Sequence, residues 1–231
     1  MARPAKVVRA VNWRHGMGEL LLIVAGILIA LAISDWNDSR VQREQEIALL
    51  NEIRYGLETD LAALESNLQA FRQGADDMGE LLALFPSPPP YDPSMDRLFG
   101  TAYGIRITNL NTAAFETLKS VGLQSISNQD LRVGITLVFD HFYERLNGGH
   151  DVDAQVTFDI LRPYYLHHFE DLKFNESATP MDYDSVMRDP YFLNIVNYRL
   201  EVLKRNQLET YELAIAQIRM VLQLLDEEIS R

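Results

Sequence analysis

The sequence predicts an all-α protein: an N-terminal transmembrane helix continuing into a stalk, with an antiparallel exported helical bundle closed by a long C-terminal helix. Three observations predict it. One strongly apolar segment lies between Trp13 and Trp36. Apolar residues then recur every three or four positions from Leu50 to Phe85, and a second amphipathic run, free of glycine and proline, extends from Tyr191 to Arg231.

The apolar segment, Gly16 to Ser34, has 19 residues and a single charge, Glu19, close to the length a helix needs to cross the hydrocarbon core. Trp13 and Trp36 flank it where aromatic belts form, and with Arg9 and Arg14 they are the candidate membrane-interface residues. Arg3, Lys6, Arg9 and Arg14 precede the segment without an acidic residue, whereas Asp35, Asp38, Arg40 and Arg43 follow it. The positive-inside bias therefore assigns residues 1–15 to a cytoplasmic tail, 16–36 to the transmembrane helix and everything later to the exported side. A cleaved secretory signal is the rival reading, because the run Leu20 to Ile33 and the triplet Ala30, Leu31, Ala32 fit that pattern too. Trp36 and the helical periodicity that continues beyond it favour an anchor. Glu19 sits near the cytoplasmic boundary, four residues after His15, which favours local pairing over an intramembrane ion site. Small residues at Gly18, Gly26, Ala30 and Ser34 share one face and form a shallow row for close helix packing in the membrane.

The stalk covers 37–85. Its apolar positions, Leu50, Ile53, Leu57, Leu61, Leu64, Leu68, Phe71, Ala75, Met78, Leu82 and Phe85, are spaced by 3.5 residues on average, the strongest periodic signal in the chain. No proline interrupts it, although Gly56, Gly74 and Gly79 permit a break. A Pro-rich turn at 86–93 ends it, since Pro86, Pro88, Pro89 and Pro90 cannot continue a helix. The long C-terminal helix, 190–231, is announced by Asp189 and Pro190 as cap and first-turn residue, and Gln207 interrupts its apolar stripe. Two long amphipathic helices at opposite ends of a domain pack most simply antiparallel. A second copy of the chain satisfies the same stripe equally well.

Between them, 94–189 reads as short helices. Ser94 caps a turn through Phe99, and Asn111 caps Thr112 to Val121. Ser127 with Asp130 resembles a capping box opening Asn128 to Leu146, which Asn147, Gly148 and Gly149 stop. Asp151 to Phe169 follows as a helix kinked at Pro163. Ile105 to Thr108 is the one candidate for extended chain and has nothing to pair with.

From Asn37 onward 17 Lys and Arg face 31 Asp and Glu, a formal −14, which argues against the clustered positive surface that nucleic acid requires. Cysteine is absent; disulfides, thiolate metal sites and cysteine nucleophiles are excluded with it. No phosphate-binding loop, dinucleotide fingerprint, nucleophile elbow or zinc helix is present, so no catalytic residue, cofactor or metal site is assigned and an enzyme is not expected. The best ligand candidates are His167, His168, Glu170 and Asp171. Adjacent histidines on a helix point about 100° apart, however, which makes a solvated acidic face the simpler reading. Twelve of the 22 aromatic residues fall between Phe139 and Tyr198, and they read as core before they read as a pocket.

Two stretches carry a resemblance. Gly18, Glu19 and the run Leu21 to Arg40 resemble the opening signature of an uncharacterised family of bacterial single-pass membrane proteins, and Ala114 to Arg132 is similar to its second signature. The resemblance implies an N-terminal anchor, a helical exported domain and bacterial origin; it implies no activity. With the orientation set by the flanking charges, the expected location is the bacterial inner membrane, single-pass, with the C-terminal domain in the periplasm. Together these readings predict a membrane-anchored structural or interaction protein, an accessory or scaffold subunit. Its expected partners are membrane lipid and another membrane protein or further copies of itself. The alternative is an exported sensor that binds a cation, lipid or envelope ligand and acts through a partner.

Overall fold

A computed structural model describes residues 13–230, and the side chains among them from Met17 onward apart from those of Gly18 and Glu19. The chain divides into two compact units between Ala48 and Leu49. Helix α1, Trp13–Leu84, is unbroken at Gly56, Gly74 and Gly79 and contributes to both. In the first unit every described side chain from Leu20 to Gln42 is exposed.

In the second unit α1 presents Leu50, Ile53, Leu57, Leu64, Leu68, Phe71, Met78 and Leu81 to the core. Helix α9, Glu209–Ile229, runs antiparallel along this face. Arg54 pairs with Asp226 at 3.3 Å, Glu65 with Arg219 at 2.6 Å and Arg72 with Glu212 at 2.7 Å, so partner numbers fall as α1 numbers rise. Such exposed pairs contribute little individually. The seam is held by the apolar surface beside them, where Tyr211, Ala214, Ile218, Val221 and Leu225 have no exposure. The stalk stripe is thus buried within one chain. Its details depart from the 3.5-residue pattern: Leu61 and Leu82 are only partly buried, while Leu81 and Asp60 are buried instead. A straight helix of 3.6 residues per turn rotates steadily away from a strict heptad, which moves the buried line onto neighbouring positions.

The middle of the chain differs from expectation in three places. First, α4 Gln129–Leu137, α5 Tyr143–Gln155 and α6 Arg162–His168 are joined by wide π turns at Val138–Phe142 and Val156–Leu161 into one helical run. Asn147, Gly148 and Gly149 do not stop it. A Cβ on Gly149 would lie 3.0 Å from the carbonyl oxygen of Asn206, so this glycine marks a close helix crossing instead of an end. The second π turn precedes Pro163 and gives the slack that a ring without an N–H demands. Second, the caps shift by a residue or more. Asn128, not Ser127, accepts from the Leu131 amide. Asp92, not Ser94, caps the 3-10 turn Pro93–Met95 ahead of α2, Asp96–Thr101. Thr112, not Asn111, precedes α3, Ala113–Val121, and makes no side-chain cap. Asn111 is occupied elsewhere, donating from its backbone and side-chain nitrogens to Asp60.

Third, the extended chain is a hairpin, not Ile105 to Thr108. Strands β1, Phe169–Lys173, and β2, Ser177–Pro180, pair antiparallel with Phe169 opposite Pro180 and Lys173 opposite Ser177, and the register shifts between Glu170 and Lys173. The turn needs Asn175 at φ 59°, a conformation asparagine tolerates better than most residues. A two-stranded ribbon is not stable alone; this one lies on α2. Around it Phe99, Phe169, Phe192, Tyr164 and Tyr165 pack ring against ring, so this part of the aromatic-rich stretch is core. Helix α7, Tyr183–Arg188, leads into α8, Pro190–Val202, where Asp189 accepts from the Tyr191 amide at 2.8 Å as the Asp-Pro signal predicts. A third π turn, Leu203–Leu208, joins α8 to α9 at the polar interruption Gln207.

The α2–hairpin contact makes a testable demand. A Cβ on Gly100 would fall 2.1 to 2.4 Å from the backbone of Ser177, so Gly100→Ala forces the hairpin off α2 and costs about 3 kcal/mol in urea unfolding followed by far-UV circular dichroism. Gly79→Ala, on open helix surface, is stabilising by about 0.5–1 kcal/mol in the same assay.

Candidate functional site

The first candidate site is the apolar face of the first unit. Leu20, Leu21, Leu22, Ile27, Leu28, Ile29 and Ile33 are each more than half exposed, Leu22 reaching 76%. A continuous sleeve of this kind is far larger than the isolated apolar residues a soluble surface carries. It is long and apolar enough to cross a membrane, and it lies near the N-terminus. Trp36, 66% exposed, closes the described end of the sleeve, with the Arg40 guanidinium 5.8 Å from its ring centroid. Gly26, Ala30 and Ser34 fall on one face, and a Cβ placed on Gly26 would meet nothing within 4 Å. Arg9 and the side chains of Trp13, Arg14 and Gly18 lie outside the described residues.

The ligand candidates separate between elements. His167 and His168 end α6, whereas Glu170 and Asp171 belong to β1. His167 turns its Nδ1 back to the Pro163 carbonyl at 2.9 Å, and His168 stacks on Tyr164 with ring centroids 4.2 Å apart. Among the described residues no group of three or more His, Asp or Glu side chains is placed to hold a metal ion.

The second candidate site is one the sequence reading missed: a line of polar side chains through the core of the bundle. Asp153 on α5 and Arg199 on α8 form an ion pair at 1% and 5% side-chain exposure. Arg199 Nη2 also donates to the Gly104 carbonyl at 2.7 Å, a carbonyl that Thr157 reaches as well. Burial pushes the Arg199 guanidinium down to about 10, so it stays charged at neutral pH. Close by, the Tyr211 hydroxyl lies 2.8 Å from both Thr108 Oγ1 and His150 Nε2, and Asn67 donates to Thr108 at 2.7 Å. Gln207 donates to the Gly149 carbonyl at 2.9 Å, across the helix crossing described above. Tyr143 donates to Asp60, and burial beside that carboxylate pushes its phenol far up. Desolvation lowers the His150 pKa, opposed in part by Asp151, so the imidazole is neutral in the fold.

A signal for these residues did exist in the sequence. Leu146, His150, Asp153, Thr157 and Leu161 follow one another at spacings of three and four, as do Val196, Arg199, Leu203, Gln207 and Tyr211. Polar residues standing on an apolar stripe face the interior. Chemically, the line binds helices to one another and to the Gly104 loop. A buried polar group without its partner is costly, so this arrangement fixes one register of the bundle. The surrounding groups use up one another's hydrogen-bonding capacity, leaving Arg199 Nε and Gln207 Oε1 without a partner among the described residues.

Fold and sites define a class: a helical-bundle protein led by a helix capable of crossing a membrane. Within that class the chain belongs to a family of unknown function, DUF6090, whose model matches residues 19–198 and so takes in the apolar sleeve and most of the bundle. No curated protein and no solved structure matches the chain.

The buried ion pair predicts an asymmetry between single and double substitution. Asp153→Ala leaves Arg199 charged and unpaired and destabilises by about 3–5 kcal/mol in chemical unfolding, whereas Asp153→Leu combined with Arg199→Met recovers most of that loss. His150 predicts a pH effect. Its pKa is lower folded than unfolded, so below about 6.5 the unfolded state takes up the extra proton and stability falls with falling pH. Measured from pH 7.5 to 5, His150→Gln unfolds with a shallower pH dependence than the wild type.

Proposed function

We propose that this protein is a membrane-anchored structural or interaction protein, an accessory or scaffold subunit of a larger membrane complex, and not an enzyme. The observation that carries the reading is the exposed apolar sleeve Leu20 to Ile33, carried on the same helix that supplies the bundle with Leu50 to Leu81. In water such a sleeve is strongly unfavourable; in lipid it is the ordinary surface of a spanning helix. The family match starts at Glu19, which supports an anchor retained with the bundle over a discarded leader. Basic residues before the sleeve and acidic ones after it support a cytoplasmic N-terminus and an exported bundle, in a bacterial inner membrane with the bundle in the periplasm. The open face at Gly26, Ala30 and Ser34 allows another helix to approach closely in the membrane, either a partner's or a second copy's.

A photo-crosslinking residue at Leu22, on that face one turn before Gly26, tests the proposal in native membranes. The expected result is one discrete product, a homodimer or an adduct with a single membrane protein, reduced on the order of tenfold by Gly26→Leu while total membrane-bound protein is unchanged. A protein that crosslinks only to lipid, or a product indifferent to Gly26→Leu, removes this reading.

A further inference from the structure

We infer that the bundle holds a single monatomic anion, a halide such as chloride, in the small cavity between Arg199 and Arg106. The cavity has a volume of about 20 Å³, and its walls include Arg106, Arg199, Thr101, Asn175, Phe71 and Leu203. Three observations converge on it. Arg199 is 4% exposed, with Nη1 and Nη2 committed to Asp153 and Gly104, yet its Nε–H has no partner among the described residues. A buried donor of a charged group left unmade is among the more expensive defects a core can carry. Arg106, partly buried on the same wall, makes no hydrogen bond or ion pair with any described residue. Charge gives the sign of the occupant. Asp153 neutralises one of the two guanidinium groups, which leaves the site one positive charge in excess, in a domain whose formal charge from Asn37 onward is −14.

Size selects among anions. A volume of this order is close to that of one water-sized particle, which favours a monatomic halide over phosphate, sulfate and the carboxylates of metabolites. A water molecule is the competing occupant. It would satisfy Nε–H and leave the excess charge in place, which is the difference the experiment reads. The inference does not depend on the interaction role proposed above, because a bundle with no partner would hold the ion equally well.

The test uses the full chain in detergent. Thermal unfolding is followed from about 5 to about 300 mM chloride or bromide at constant ionic strength, with gluconate as the balancing anion, and the midpoint is expected to rise by about 5 °C. In Arg106→Gln, which keeps a polar side chain but loses the charge, that rise is expected to disappear. A midpoint insensitive to halide, or a rise that Arg106→Gln retains in full, overturns the inference. Crystals grown in bromide decide independently of how the variant folds. One anomalous peak within hydrogen-bonding distance of Arg199 Nε supports the site, and a peak-free cavity holding water refutes it.

Discussion

The bundle depends on one constraint: the apolar face of α1 between Leu50 and Leu81 must be covered, and α9 of the same chain lies along much of it, from Arg54 to Arg72. Each turn of α1 places another aliphatic or aromatic side chain on that face, from Leu50 and Ile53 to Phe71 and Met78. The returning helix answers with Leu225, Val221, Ile218, Ala214 and Tyr211. Phe71 meets Tyr211 edge to face with ring centroids 5.1 Å apart, where the apolar seam passes into the polar line. The charged pairs beside the seam, Arg54 with Asp226 and Arg72 with Glu212, choose direction and register more than they add stability.

Register is also the consequence of the buried polar residues. Hydrophobic burial is tolerant of small slips along a helix pair, because one leucine replaces another. Asp60 beneath Asn111 and Tyr143, Asp153 against Arg199, and Gln207 over Gly149 are not tolerant. A shift of one residue would strand each of them. The helices accommodate these contacts by widening: π turns at Val138–Phe142, Val156–Leu161 and Leu203–Leu208 rotate the following turn and bring groups such as Gln207 inward. Local helical regularity is given up where the polar line passes.

Much of this was legible in residues taken one stretch at a time. The sleeve between the tryptophans, the α1 stripe, the Pro-rich stop and the Asp189–Pro190 start all rest on short-range rules of length, period and capping. Gln207 stands out as an interruption, whereas its partner Gly149 carries the signature of a helix stop, because glycine has the same local signature at an end and at a crossing. Arg199 and Asp153 sat in plain view at stripe positions. Each is ordinary alone, since a charged residue three positions from a valine is common on any helix; only the other partner, 46 residues away, turns it into a core residue. The hairpin is hidden in the sequence for a related reason. Phe169 to Lys173 carries no alternating pattern, and its stability comes from Gly100 and Phe99 on α2, about 70 residues earlier.

By itself the sequence determined a predominantly helical chain, the position of a segment fit for lipid, and the ends of its two longest amphipathic runs. These follow from interactions within a few turns, which composition and spacing encode directly. Only the tertiary structure decided that the α1 stripe closes on α9 of the same chain, that the central helices run through their glycines, and that two arginines far apart in sequence share one small cavity. Those outcomes depend on which distant surfaces meet, and burial alters the energy of a charge or a backbone far more than any neighbour in sequence does.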